Sequence, residues 1–121
     1  MSQLRDSYSV KLLILYTLNR LSQPITLEAL SEAVQVDDGF TYFDVVQALS
    51  DLVASGHIEE SGQNETVLYT STAKGKAHGE IVESDLPYSL RRKAGDAIKT
   101  LVAQLEIEKI VRNVRAANES Q

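Results

Sequence analysis

The stretch TYFDVVQALSDLVASGHIEESG, residues 41–62, constrains the fold more than any other part of the chain. At about 100° per residue, Tyr42, Val45, Val46, Leu49, Leu52 and Val53 gather on one side of a helix and read as core. Gly56 follows, at the place where a helix ends in left-handed backbone. HIEES then continues with strand-like residues, so the stretch reads as a helix feeding a β-strand and hairpin. The opposite side of that helix shows Phe43, Asp44, Gln47, Ser50, Asp51 and Ala54, with no Lys or Arg.

The flanking segments supply partners for the apolar side. From a cap at Asp6 or Ser7, SVKLLILYTLNRL is apolar on nearly every side, as expected of a central helix buried on several faces. It stops before Ser22-Gln23-Pro24, Ile25 reads as a short strand residue, and Thr26 caps LEALSEAVQ, whose Leu27, Leu30 and Val34 form one stripe. Residues 36–40 turn the chain, and Thr41 begins the third helix. TVLYTS is the second strand, with Gly62-Gln63-Asn64 at the tip between the two. Thr72 caps AKGKAHGEIVE, in which Gly75, Ala77 and Gly79 are small enough for close helix contact. Asp85-Leu86-Pro87 starts a last helix expected to reach about Asn118, with only the final residues as a disordered tail. With 43% hydrophobic residues in 121, the chain can fill one core, and a single compact unit is expected.

The order helix, short strand, helix, helix, two-stranded wing is similar to the winged helix-turn-helix pattern. ITLEALSEAV resembles its second helix, ALSDLVASGHIEE its third helix and exit, and YTSTAKGKA the signature that closes its wing. The fold class this implies is mainly α with a small β-wing, α+β, followed by a long C-terminal helix. Over roughly residues 8–95 the KLLILYTL helix and the aromatic turn GFTYFDV resemble a bacterial family defined as a domain of unknown function, which implies a transcriptional regulator. Ser71 departs from the apolar residue common before the signature threonine. Members of that family continue past the long helix, whereas this sequence stops at Gln121, as a short relative or a trimmed piece would.

Charge opposes a simple DNA-binding role. Residues 1–85 hold 5 basic and 13 acidic side chains, a balance of −8, and residues 86–121 hold 7 basic and 4 acidic, a balance of +3, giving the net −5. Phosphate contact supplies most sequence-independent affinity, so a basic patch is the usual footprint. On the third helix only Gln47 has a side chain suited to reading a base edge. Asp44 stands three residues after Thr41, the spacing of a capping box. Asp51 has no such local role and would face phosphate repulsively. Phosphate contacts are therefore expected from Lys74 and Lys76 beside the wing and from Arg91, Arg92, Lys93 and Lys99 on the last helix. Phe43 on the outer face is a lone exposed aromatic or the anchor of a protein contact.

No catalytic, cofactor or metal site is expected. Without cysteine there is no thiolate site and no disulfide framework. His57 and His78 lack metal-ligand spacing and read as an outward strand residue and a helix surface residue. Gly75-Lys76-Ala77 lacks the upstream glycine of a phosphate loop. The N-terminus has no signal-peptide pattern and no apolar run spans a bilayer, so a cytoplasmic protein with no membrane contact is expected.

The last helix carries two stripes. With Ile98 at 0°, Leu90, Ala94, Ala97, Leu101, Val102 and Leu105 lie between about 260° and 40°, while Ile107, Ile110, Val111 and Val114 lie between about 120° and 220°. Lys109, Arg112 and Arg115 take over the original side. A second stripe so far round needs another surface, and a two-fold partner supplies one; the alternative is a helix that ends or kinks near Glu106. Residues 1–85 are thus expected to be a winged-helix domain and 86–121 a dimerisation helix. The function expected is a dimeric winged-helix regulator whose DNA contact is weak or lies outside the third helix; the alternative is a winged-helix protein-interaction module that binds no DNA.

Overall fold

A computed structural model of the protein describes residues 7–35, 40–63 and 65–119. Asp6 as a helix cap, the turn at residues 36–39, Asn64 at the hairpin tip and the last two residues lie outside them. The element order is α1 (Ser7–Asn19), α2 (Leu27–Val34), α3 (Tyr42–Ala54), β1 (Ile58–Gln63), β2 (Thr66–Ser71), α4 (Ala73–Val82), a 3-10 turn (Glu83–Asp85) and α5 (Tyr88–Glu119). The fold is of the α+β class, mainly helical, with a small antiparallel hairpin and a long C-terminal helix.

Because α1 is apolar on several sides, it can pack in several directions at once. It touches α2, α3, α4, α5 and β2, and Val10, Leu12, Leu13, Ile14, Leu15 and Leu18 are each 5% exposed or less. Burying one such side chain contributes about 1.5–3 kcal/mol, so α1 organises the core. From α2 come Leu30, Ala33 and Val34, and from α3 Val45, Ala48, Leu49 and Leu52.

Three threonines start helices as their positions predict. Thr26 Oγ1 accepts from Ala29 N at 3.2 Å, Thr41 Oγ1 from Asp44 N at 3.1 Å and Thr72 Oγ1 from Gly75 N at 3.1 Å, each satisfying an amide the helix cannot. Gly56 ends α3 with φ +83° and has open space around it. Backbone conformation, and not crowding, therefore requires glycine there.

In the hairpin Ile58 pairs with Ser71 and Gln63 with Thr66. Ile25 adds a single rung: its N–H donates to Tyr69 O at 3.1 Å and its carbonyl accepts from Tyr69 N at 2.8 Å, which is the short strand expected there. The first strand differs from expectation at both ends. His57 stands before it, its N–H held by Leu52 O at 2.9 Å, and Gly62 and Gln63 belong to the ladder, not to the tip. Among the described residues of the turn, Glu65 is left-handed, φ 71°.

Close approach explains two glycines of α4. A Cβ at Gly75 would collide with the backbone carbonyl of His57, and one at Gly79 with the Asn19 side chain. Ala77, expected to share this contact, is instead exposed, about 200° round the helix from Gly75 and so on its outward side. Two polar clasps fix the turn after α4 to α1: Tyr8 Oη donates to Asp85 Oδ2 at 2.6 Å, and Arg20 donates to Glu83 at 3.1 Å.

The first half of α5 belongs to the common core. It packs on α1 and α2, burying Leu90, Ala94, Ile98 and Leu101, with Leu86 just ahead of it. Val102, expected on the same stripe, is 40% exposed, since it marks the edge of the arc. The helix neither ends nor is interrupted near Glu106; it runs on to Glu119, and every side chain from Glu106 to Glu119 is exposed.

Candidate functional site: the outer face of α3

A reciprocal capping box holds the start of α3. Asp44 Oδ2 accepts from Thr41 N at 2.9 Å while Thr41 caps in return. Asp44 is thereby committed to the helix start, as its spacing predicts, and its charge sits at the favourable end of the helix dipole.

Asp51 departs from expectation. Its Oδ1 accepts from Gln47 Nε2 at 3.0 Å, and its Oδ2 lies 3.3 Å from Lys11 Nζ. The carboxylate expected to stand alone is thus offset by a lysine from α1. Both side chains are partly solvated, so the pair adds only about 0–1 kcal/mol of stability. Its larger consequence is electrostatic: the outer face carries less negative potential than its sequence states. The sequence held a signal for this, because Lys11 is the single basic residue in the apolar run of α1 and a charge there must find a partner or reach water.

Tyr42 is the second departure. Expected in the core, it is 43% exposed beside Phe43 at 80%, and the two rings meet edge to face with centroids 6.3 Å apart. The reason is positional: Tyr42 lies in the first turn, ahead of the point where Val45 enters the core. The face therefore reads, from its N-terminal end, as an aromatic pair, the capping Asp44, then Gln47 and Ser50, both exposed.

At the other end of α3 the chain builds a cleft of about 260 Å³ whose walls include Tyr8, Lys11, Leu52, Ser55, His57 and His78. Ser55 Oγ is 2.6 Å from His57 Nδ1, and the His57 and His78 rings meet with centroids 5.0 Å apart. The pairing of these histidines was not expected. It follows from Gly75, which lets α4 touch the backbone at His57. Burial, then Lys74, then His78 hold His57 below the ordinary histidine pKa, so its neutral form is favoured. Ser55 is the C-terminal cap residue of α3, and its hydroxyl also donates to Leu52 O at 3.2 Å. Among the described residues no three His, Asp or Glu side chains come together as a metal site would require.

The candidate phosphate ligands are not gathered in one place. Lys74 Nζ donates to Ser55 O at 2.7 Å, complementing the C-terminal end of α3, whereas Lys76 is exposed. Arg92, Lys93 and Lys99 are exposed on α5, while Arg91 is half-buried with its guanidinium 5.9 Å from the Tyr88 ring centre. A groove of about 680 Å³ lies between α2 and α5; Glu28, Glu32, Leu101, Leu105, Glu108 and Arg112 are among its walls. Among the described residues no helix is long and apolar enough to cross a membrane.

The family described as a domain of unknown function, DUF4364, matches residues 10–121, and the chain belongs to it. The match extends through α5 to the end of the sequence, so the long helix is part of what defines the family here. Neither a curated protein nor a solved structure matches the chain significantly.

Proposed function

We propose that the chain is a winged-helix regulatory protein of the transcription-factor type, in which α3 is the helix presented to DNA and the β1–β2 hairpin is the wing. The observation that carries this reading is the state of the α3 outer face. Gln47 and Ser50 are exposed, the helix start is fixed by its capping box, and each acid on the face has a partner, Asp44 the Thr41 amide and Asp51 the Lys11 ammonium group. What remains exposed is a polar surface with one amide able to pair with adenine. With no cation on the face, affinity must come from elsewhere. Arg92, Lys93, Lys99 and Lys76 are the exposed basic groups that supply phosphate contact.

A titration of the full chain with mixed-sequence duplex over a range of salt concentrations tests the proposal. Binding should appear at low salt, fall as salt rises and weaken evenly across sequences when Arg92 and Lys93 are replaced by Gln. Absence of binding at low salt sinks it. A second reading, a winged helix used for protein contact, is favoured by the Tyr42–Phe43 pair, since exposed aromatics anchor interfaces. Under that reading Phe43→Ala removes partner binding and has no bearing on DNA.

A further inference from the structure

A larger cavity than the cleft at α3 lies between α2 and α5. Its volume of about 680 Å³ falls within the range of about 300–1,000 Å³ in which small molecules bind, and the space between packed helices is a usual setting for such sites. The base is apolar. Ile25 and Leu101 are 2% and 6% exposed, and Ala29 and Leu105 beside them are half-buried. The rims are charged: Glu28 and Glu32, one helical turn apart on α2, stand on one side and Glu108 of α5 on the other, with Arg112 the one cation of the lining among the described residues. No ion pair or side-chain hydrogen bond engages any of these four among the described residues. Three free carboxylates against one guanidinium leave the groove a net charge of −2, so its complement is a cation.

Shape narrows the class further. Along α5 the lining runs from Leu101 to Arg112, about 16 Å at 1.5 Å per residue. The mean cross-section is then about 40 Å², whereas an α-helix with its side chains, about 10–12 Å across, occupies about 80 Å² or more. A partner's helix is too wide for it. An extended peptide suits the width but not the walls, which are mostly helix side chains and not the strand edge that pairs with a peptide backbone. A second hollow of about 190 Å³ shares Glu32 and Gln104 with the groove and carries it on toward Ala97 and Thr100. The site is therefore narrow and elongated, with an apolar base and carboxylates on both rims. A flexible methylene chain with more than one ammonium group matches it, the chain lying on Ala29 and Leu105 while the charged groups reach the rims.

We propose that this groove binds a linear aliphatic polyamine, with Glu28 and Glu32 holding one ammonium group and Glu108 another. The site is independent of what α3 contacts. Arg112 opposes the ligand, so its removal acts with the opposite sign to removal of a glutamate.

Isothermal titration calorimetry of the full chain with spermidine at low salt tests the proposal, with circular dichroism confirming that each variant is folded. The wild type should bind one spermidine. Glu32→Gln and Glu108→Gln should each weaken binding by roughly fivefold, the loss of one charge pair in water, and Arg112→Gln should tighten it by a similar factor. Glu59→Gln, at an exposed position of β1 outside the groove, should change nothing. Absence of binding at millimolar spermidine overturns the proposal. So does magnesium chloride binding as tightly as spermidine, since charge alone would then suffice and the apolar base would play no part. An Arg112→Gln variant that binds no tighter than wild type places the amine elsewhere on the acidic surface. A lysine-rich peptide that binds more tightly than spermidine, and loses that affinity in Glu108→Gln, assigns the groove to a protein partner instead.

Discussion

Both α3 and the tail of α5 turn one side to solvent, but they do so differently. The exposed side of α3 is polar and settled within the chain: Asp44 bonds to the helix start, and Gln47 bonds to Asp51, which also meets Lys11. On the tail of α5 the exposed side is branched and apolar, with nothing of the domain against it. A helix whose inward side carries Val45, Ala48, Leu49 and Leu52 is held by its own core and leaves its outer side free for polar recognition. A helix that has left the core has only its apolar side left with which to gain stability by burial.

The largest expected effect separates the two regions directly. Leu49→Ala should lower the unfolding free energy by about 2–5 kcal/mol, the cost of a buried cavity, whereas Ile110→Ala should change it by less than about 0.5 kcal/mol when measured dilute enough to keep the chain monomeric. Chemical denaturation of both variants at low protein concentration checks it. Equal losses would mean that the tail folds back on its own domain.

Glycines sharpen the same contrast at smaller scale. Gly75→Ala should cost about 1–3 kcal/mol, because the new methyl meets the His57 carbonyl and α4 must move. Gly95 sits within α5 with nothing near its would-be Cβ. Gly95→Ala should therefore stabilise by about 0.5–1 kcal/mol through helix propensity alone. Thermal melts of the pair should shift in opposite directions.

The Ser55–His57–His78 end of α3 adds a pH dependence. Folding holds His57 below its ordinary pKa of 6.5, chiefly by burial, then by Lys74 and His78. The folded state therefore binds fewer protons there than the unfolded state. Stability from this site is present above the unfolded value and is lost as pH falls through the folded one. Denaturant midpoints measured from pH 7.5 down to pH 5 should decline, and His57→Gln should flatten that decline.

Much of this was legible in the sequence because local rules decided it. Thr26, Thr41 and Thr72 cap where their spacing says, Gly56 takes its left-handed turn, and the last helix reaches its expected end to within a residue. Two of the failures share one cause, contact between residues far apart in the chain. Asp51 reads as unpaired because its partner Lys11 lies on another helix. His57 and His78 read as separate because the pairing depends on how closely α4 approaches the start of β1. Tyr42 fits the apolar side of its helical wheel, but a wheel does not say where along its length a helix enters the core. Ser71 was the one misfit noted in the strand signature, and it is buried with its hydroxyl lacking a hydrogen-bond partner among the described residues.

The smallest expected effect on stability falls on the site itself. Asp51→Asn keeps the shape of the side chain and its capacity to accept from Gln47, while removing the charge that holds Lys11 at 3.3 Å. An exposed pair of this kind is worth about 0–1 kcal/mol, so the unfolding midpoint should barely move. The effect on binding should be more visible. Two unit charges a few ångströms apart in water interact by about 1 kcal/mol, and the substitution both removes a repulsive carboxylate and releases an ammonium group next to the face. Under the DNA reading, affinity for mixed-sequence duplex at low salt should rise severalfold and the salt slope should steepen, since one more cation faces phosphate. Under the protein-contact reading, Asp51→Asn should weaken a partner that uses the face, and Phe43→Ala should weaken it further. If Asp51→Asn instead binds DNA less tightly than wild type, the carboxylate is itself a ligand, accepting from a cytosine amino group. The polar outer face of α3 would then be a reading surface as it stands, with Lys11 positioning the acid that reads.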